Sequence, residues 1–104
     1  MANVSLADGQ VATSAATGDE YVAVGNVRLT FMSLFNTNAA NQTVVVYLRR
    51  FGSTNRVVAR FILKQYQRGS AFIDDQPYLS KGDALVVETT TASAVDFFLS
   101  GETY

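Results

Sequence analysis

Histidine, cysteine and tryptophan are missing from this chain, and proline occurs once, at Pro77. Without cysteine there is no disulfide, no thiolate ligand and no thiol nucleophile, which fits a reducing site of synthesis. Without histidine the serines Ser14, Ser33 and Ser70 lack the base that would activate a hydroxyl, and there is no Gly-x-Ser-x-Gly elbow or phosphate-cradling glycine loop. An excess of charge of either sign is lacking as well. Lys and Arg number 8 against 9 for Asp and Glu, a net charge of −1, so nothing pulls the whole molecule toward nucleic acid or an anionic membrane. No apolar run approaches the roughly 20 residues of a membrane helix, and "MANVSLADGQ" does not follow the basic-then-apolar order of a secretory signal. Synthesis and folding in the cytoplasm are expected.

What is present is strand. The 104 residues suit a single domain, 1–104, able to bury a core without staples. Residues 1–9 read as an extended N-terminal arm. Val27, Leu29, Phe31 and Phe35 share one parity, the two-residue period of a strand, and are expected inward. Asn36, Asn38 and Asn41 mark a turn, because Asn bonds its own backbone and tolerates left-handed geometry. "TVVVYLRR" resumes as a β-branched and aromatic strand, and "FGSTN" turns at Gly52. In "RVVARFILKQ", Val57, Ala59, Phe61 and Leu63 are expected on one face and Arg56, Arg60 and Lys64 on the other, with a helix as the alternative. A short strand with Ala71 and Ile73 ends at "DDQP", Gly82 and Asp83 turn the chain, and strands carrying Leu85 and Val87 and then Val95, Phe97 and Leu99 follow. Weaker strands are expected at Gln10 to Ser14 and Tyr21 to Val24. About eight short strands with closely spaced turns indicate an all-β antiparallel sandwich, jelly-roll-like or immunoglobulin-like.

The opposite parity raises a question. Met32, Leu34, Val45, Tyr47, Val58, Ile62, Val86 and Phe98 fall on faces that should look outward, too many apolar residues for a freely solvated surface. Either the parity slips at bulges, or these faces meet copies of the chain or other subunits. Six of the eight cationic side chains, Arg49, Arg50, Arg56, Arg60, Lys64 and Arg68, lie in 20 residues without an acid. Only Tyr47 and Tyr66 accompany them as stacking platforms, so nucleic acid is not the expected partner. Solvated strand, edge protection or a rim of arginines facing a neighbour's carboxylates are the readings left. The partner contacts expected from parity are Met32, Leu34, Tyr47, Arg49, Arg60, Ile62 and Phe98.

Reaction chemistry finds little purchase. Asp74 with Asp75, or Asp19 with Glu20, are adjacent pairs that a strand would point apart, and turn composition accounts for them. With Asp83 they supply oxygen but no spaced calcium loop. No catalytic residue, cofactor or metal is expected, and an enzyme is not.

The order of strand, Asn36–Thr37, polar turn, "TVVVYL", strand, acidic turn, Leu79 to Val87 with Gly82–Asp83, and the closing "TTTASAVDFFLSG" resembles the small β-sandwich virion structural proteins of tailed bacteriophages, the capsid decoration or cement type. The resemblance spans about residues 10–104, and the basic strand "RVVARFILKQYQR" departs from it. It implies a non-enzymatic virion protein, made in the host bacterial cytoplasm, that bridges coat subunits, with itself as homo-oligomer and the major capsid protein or other virion proteins as partners. A head–tail connector, tail or fibre component fits the same residues. A carbohydrate-binding module is the competing class, weakened by the missing tryptophan.

Overall fold

The computed structural model describes residues 2–11, 20–72, 76–91 and 94–104, with side chains from Val4 onward. Its strands are β1 (Ala2–Gln10), β2 (Tyr21–Val22), β3 (Val27–Asn36), β4 (Gln42–Arg49), β5 (Arg56–Leu63), β6 (Arg68–Ala71), β7 (Tyr78–Leu79), β8 (Ala84–Thr89) and β9 (Val95–Thr103). They form two antiparallel sheets. The first has the order β1-β9-β3-β6, with the two-residue β7 also on β3; the second has the order β2-β8-β4-β5. Apart from β7, the chain therefore changes sheet at every step except β4 to β5, and each sheet interleaves early and late strands. That is the jelly-roll order, so of the two sandwich types the sequence allows, this is the one present.

The two sheets close over one core. Leu29, Met32, Leu34, Leu99 and Phe97 come from the first sheet, and Val44, Val46, Leu85 and Val87 from the second, all buried. Removing such a side chain from water stabilises the fold by roughly 1.5–3 kcal/mol, which is why the β-branched runs of β4 and β8 settle as central strands.

Bulges in β3 and β5 decide which of their side chains reach that core. In β3 the pairing with β9 skips a residue between Leu29 and Phe31. Val27 and Leu29 point inward before the skip, and Met32, Leu34 and Asn36 after it. The expectation that Phe31 and Phe35 fill the core is thus overturned, and so is the expectation that Met32 and Leu34 are outward contacts: both are fully buried, while each Phe is 37 % exposed. One extra residue exchanges the faces of a strand. In β5 the pairing with β4 jumps from Val46–Ala59 to Tyr47–Val57, leaving Val58 as the extra residue. Ala59, Phe61 and Leu63 face the core side as expected, but Val57 turns outward and is 59 % exposed.

Other expectations shift less. Residues 2–10 do not stand off as an arm; they pair along β9 from Ala2–Thr103 to Gln10–Asp96. Residues 56–63 are strand, not helix. Val86 lies on the outer side of β8 yet is buried. Ile73, Asp74, Asp75, Ser14, Asp19 and the strand expected at 12–14 lie outside the described residues.

Candidate functional site

In an antiparallel pair the opposed residues share a face, so the register shows what the outer surfaces carry. On the second sheet Thr43 opposes Ile62, Val45 opposes Arg60 and Tyr47 opposes Val57. Across β4, Val45 opposes Glu88 and Arg49 opposes Ala84. Four of the residues picked out by parity, Tyr47, Arg49, Arg60 and Ile62, therefore share one outer face, with Val57 beside them. Ile62 is 62 % exposed. This side of the molecule ends in β5, an edge strand whose arginines, Arg56 and Arg60, hinder stray strand pairing.

Polar contacts fix the middle of that face. The Tyr47 hydroxyl donates to a carboxylate oxygen of Glu88. That hydrogen bond, with burial adding to it, holds the phenol above its ordinary pKa, while the charge of Arg60 acts the other way. Tyr47 is a hydrogen-bond donor locked in place. Next to it an open depression of about 230 Å³ is lined by Thr43, Val45, Glu88, Thr89 and Thr90. The groups present suit a mixed apolar and charge-assisted contact.

Phe98 sits elsewhere. It lies on the outer face of the first sheet, 60 % exposed, opposite Ser33 on β3 and Asp8 on β1. The β3 bulge brings Phe31 and Phe35 to the same face, a grouping that parity placed in the core. The sequence did carry one signal for it, Gly101 inside β9. Gly101 opposes Leu29 just before the bulge, and a Cβ there would come within 2.6 Å of the Arg28 carbonyl oxygen and 2.9 Å of Leu6. A glycine within a strand often marks a bulge or a close backbone approach.

The acid singled out in the turn before β8 has a structural task. Asp83 is buried and accepts hydrogen bonds from the Ser80 and Phe51 amides and from the Arg50 guanidinium, each at 2.9 Å. The Ser80 amide first, then Phe51 and Arg50, hold its carboxyl below the ordinary value against an opposing desolvation. Gly82 beside it takes φ +93°, with the Phe51 ring packed where a Cβ would stand. Among the described residues no three His, Cys, Asp or Glu side chains gather as a metal site. Ser33 and Ser70 oppose each other on the outer face of the first sheet. Tyr66, the second aromatic of the sugar-binding alternative, is exposed in the turn after β5 at φ 54° and is not part of the Tyr47 face.

No protein-family model, curated protein or solved structure matches the chain.

Proposed function

We propose that this chain is a non-enzymatic structural protein of a phage particle, a decoration or cement protein that bridges coat subunits through the outer face of its second sheet. The observation that carries this reading is the convergence of exposed Val57 and Ile62 with Tyr47, Arg49 and Arg60 on one sheet face. Val57 and Ile62 flank Arg60 on β5, and Tyr47 and Arg49 stand beside them on β4, a mixture of apolar, tyrosine and arginine side chains of the kind enriched in protein contacts. The sequence resemblance to phage virion proteins points the same way. The jelly roll is compatible with it, being common in capsid and lectin domains, but a fold does not fix a function.

Bridging works by mass action. A rigid sandwich that binds only assembled coat stabilises the shell by its binding free energy at every copy. The double substitution Tyr47→Asp with Ile62→Asp is expected to abolish binding to coat shells while circular dichroism and melting remain those of a folded sandwich. Retained binding by the folded double variant would overturn the assignment of this face. Counting copies by quantitative mass spectrometry of purified particles tests the position. A number comparable with the coat lattice supports decoration, a few copies per particle indicate a connector, tail or fibre, and absence removes the virion reading.

A further inference from the structure

The outer face of the first sheet has a charge pattern that fits a second copy of itself. Across the strands one row reads Arg68 on β6, Phe35 on β3 and Asp96 on β9. The next reads Ser70, Ser33 and Phe98, with Asp8 beyond on β1. Plus, apolar, minus is antisymmetric about Phe35, and among the described residues neither Arg68 nor Asp96 takes part in an ion pair. We propose that two copies pack these faces together about a two-fold axis running along β3.

Geometry singles out that axis. An isologous contact lays one patch on itself, and rotation about a line along β3 reverses the strand order while keeping the rows. Arg68 of each copy then lies over Asp96 of the other, Phe35 meets Phe35, and Phe98 sits over the small Ser70. An axis perpendicular to the strands keeps the strand order and sets Arg68 on the partner's β6, like charge toward like. An axis moved to the gap between β3 and β9 presses Asp96 onto the partner's Phe35 and strands a carboxylate in an apolar contact. Only the axis on β3 satisfies both charges twice.

The surface has room for the arginine. An open depression of about 310 Å³ beside Phe98 is lined by Asp8 and Asp96 together with Gln10, so an entering guanidinium meets two carboxylates. The aromatic content is also high for a solvated face, with Phe98 60 % and Phe31 and Phe35 each 37 % exposed. The three strands that overlap about this axis, β6, β3 and β9, lie about 4.8 Å apart and, over the length from Arg28 to Phe35 at about 3.4 Å per residue, offer at most ~400 Å² per copy, or ~800 Å² in total. That is below the size of a standard specific contact, so the dimer is a weak one that forms only toward the upper end of the micromolar range. The dimer uses the sheet opposite to the coat-binding face and does not depend on the virion reading.

Analytical ultracentrifugation of the purified chain, from low micromolar to near-millimolar concentration, tests it. The chain is expected to dimerise toward the upper end of this range. Arg68→Asp and Asp96→Arg, each alone, are expected to weaken the dimer about tenfold or more, Phe35→Asp to abolish it, and the combined Arg68→Asp/Asp96→Arg to return it to near the original strength. Arg68 and Phe35 are exposed, so each variant should give the circular dichroism and melting of a folded sandwich. A chain monomeric throughout, single charge reversals without effect, or a double reversal as weak as the singles would each overturn the proposal. Coat binding that survives Phe35→Asp would leave the function proposed for the other face standing.

Discussion

Asn36 reaches across the sandwich to Leu63. At the end of β3, in the first sheet, its side-chain nitrogen lies 3.1 Å from the Leu63 carbonyl oxygen at the end of β5, in the second, and it also donates to the carbonyls of Lys64 and Ala40. Its oxygen accepts from the Asn38 amide at 2.9 Å. The side chain is fully buried, so these bonds replace water that is no longer there. Asn36→Leu, close in size, is expected to leave the buried Leu63 carbonyl without this donor, to remove the bonds to Ala40, Lys64 and Asn38, and to cost about 2–4 kcal/mol. A thermal melt reads this as a midpoint about 8 °C lower or more. A loss too small to resolve would show that the latch is not an important tie between the sheets.

The bulge in β3 makes a prediction that simple alternation would reverse. Met32→Asp places a carboxylate among Leu34, Leu99 and their neighbours and is expected to abolish folding, while Phe35→Asp, on the outer face, leaves a folded chain. Far-UV circular dichroism and urea unfolding of the two variants compare the faces directly. A folded Met32→Asp beside an unfolded Phe35→Asp would mean that the bulge is misplaced.

Asp83 ties stability to pH. Its folded-state pKa lies below the unfolded value. The stabilisation is therefore fully present above the unfolded value, about 3.9, and is lost as pH falls through the lower folded one. Asp83→Ala is expected to cost about 2 kcal/mol at neutral pH and to flatten this part of the acid limb of a stability-against-pH curve. An acid limb unchanged in the variant would assign the acid sensitivity to other carboxylates.

Gly101 has space for hydrogen only. Gly101→Ala is expected to cost about 1–3 kcal/mol, because the nearest obstacle is the Arg28 carbonyl, which belongs to the backbone and cannot swing aside. Gly69→Ala meets instead the Leu63 side chain at 2.7 Å and the Phe61 ring at 2.9 Å, groups that can turn. It should be the milder of the two in chemical denaturation. Equal costs would remove the distinction.

Strand positions were legible in the sequence because turns and β-branched runs are local signals. Val44, Val46 and Leu48 point inward and Tyr47 outward, as the alternation of β4 requires. The faces of β3 were not legible by the same rule. Phe31 and Phe35 on one parity and Met32 and Leu34 on the other are equally apolar, so alternation gives no preference, and the sign of the bulge, Gly101, stands on a strand some 70 residues later. In β5 the slip at Val58 is hidden in the run Val57–Val58 for the same reason. Residues 2–10 carry too few apolar side chains to announce a strand, and what orders them is the backbone ladder of β9. The candidate contacts divided accordingly: Tyr47, Arg49, Arg60 and Ile62 came together, Phe98 went to the other sheet, and Met32 and Leu34 went inside.

The place of β9 between β1 and β3 sets the timing of folding. The centre of the first sheet is the last strand in the sequence, so β1 and β3 have no partner between them until β9 has left the ribosome. Closing such a distant pairing bears its loop entropy before any ladder forms, which puts the chain among slow folders of high contact order. Until then the exposed edges of β1 and β3 are open to the same strands of neighbouring nascent chains. Rapid overproduction would therefore favour tangled aggregates over native sandwiches, and slower synthesis would reverse that balance.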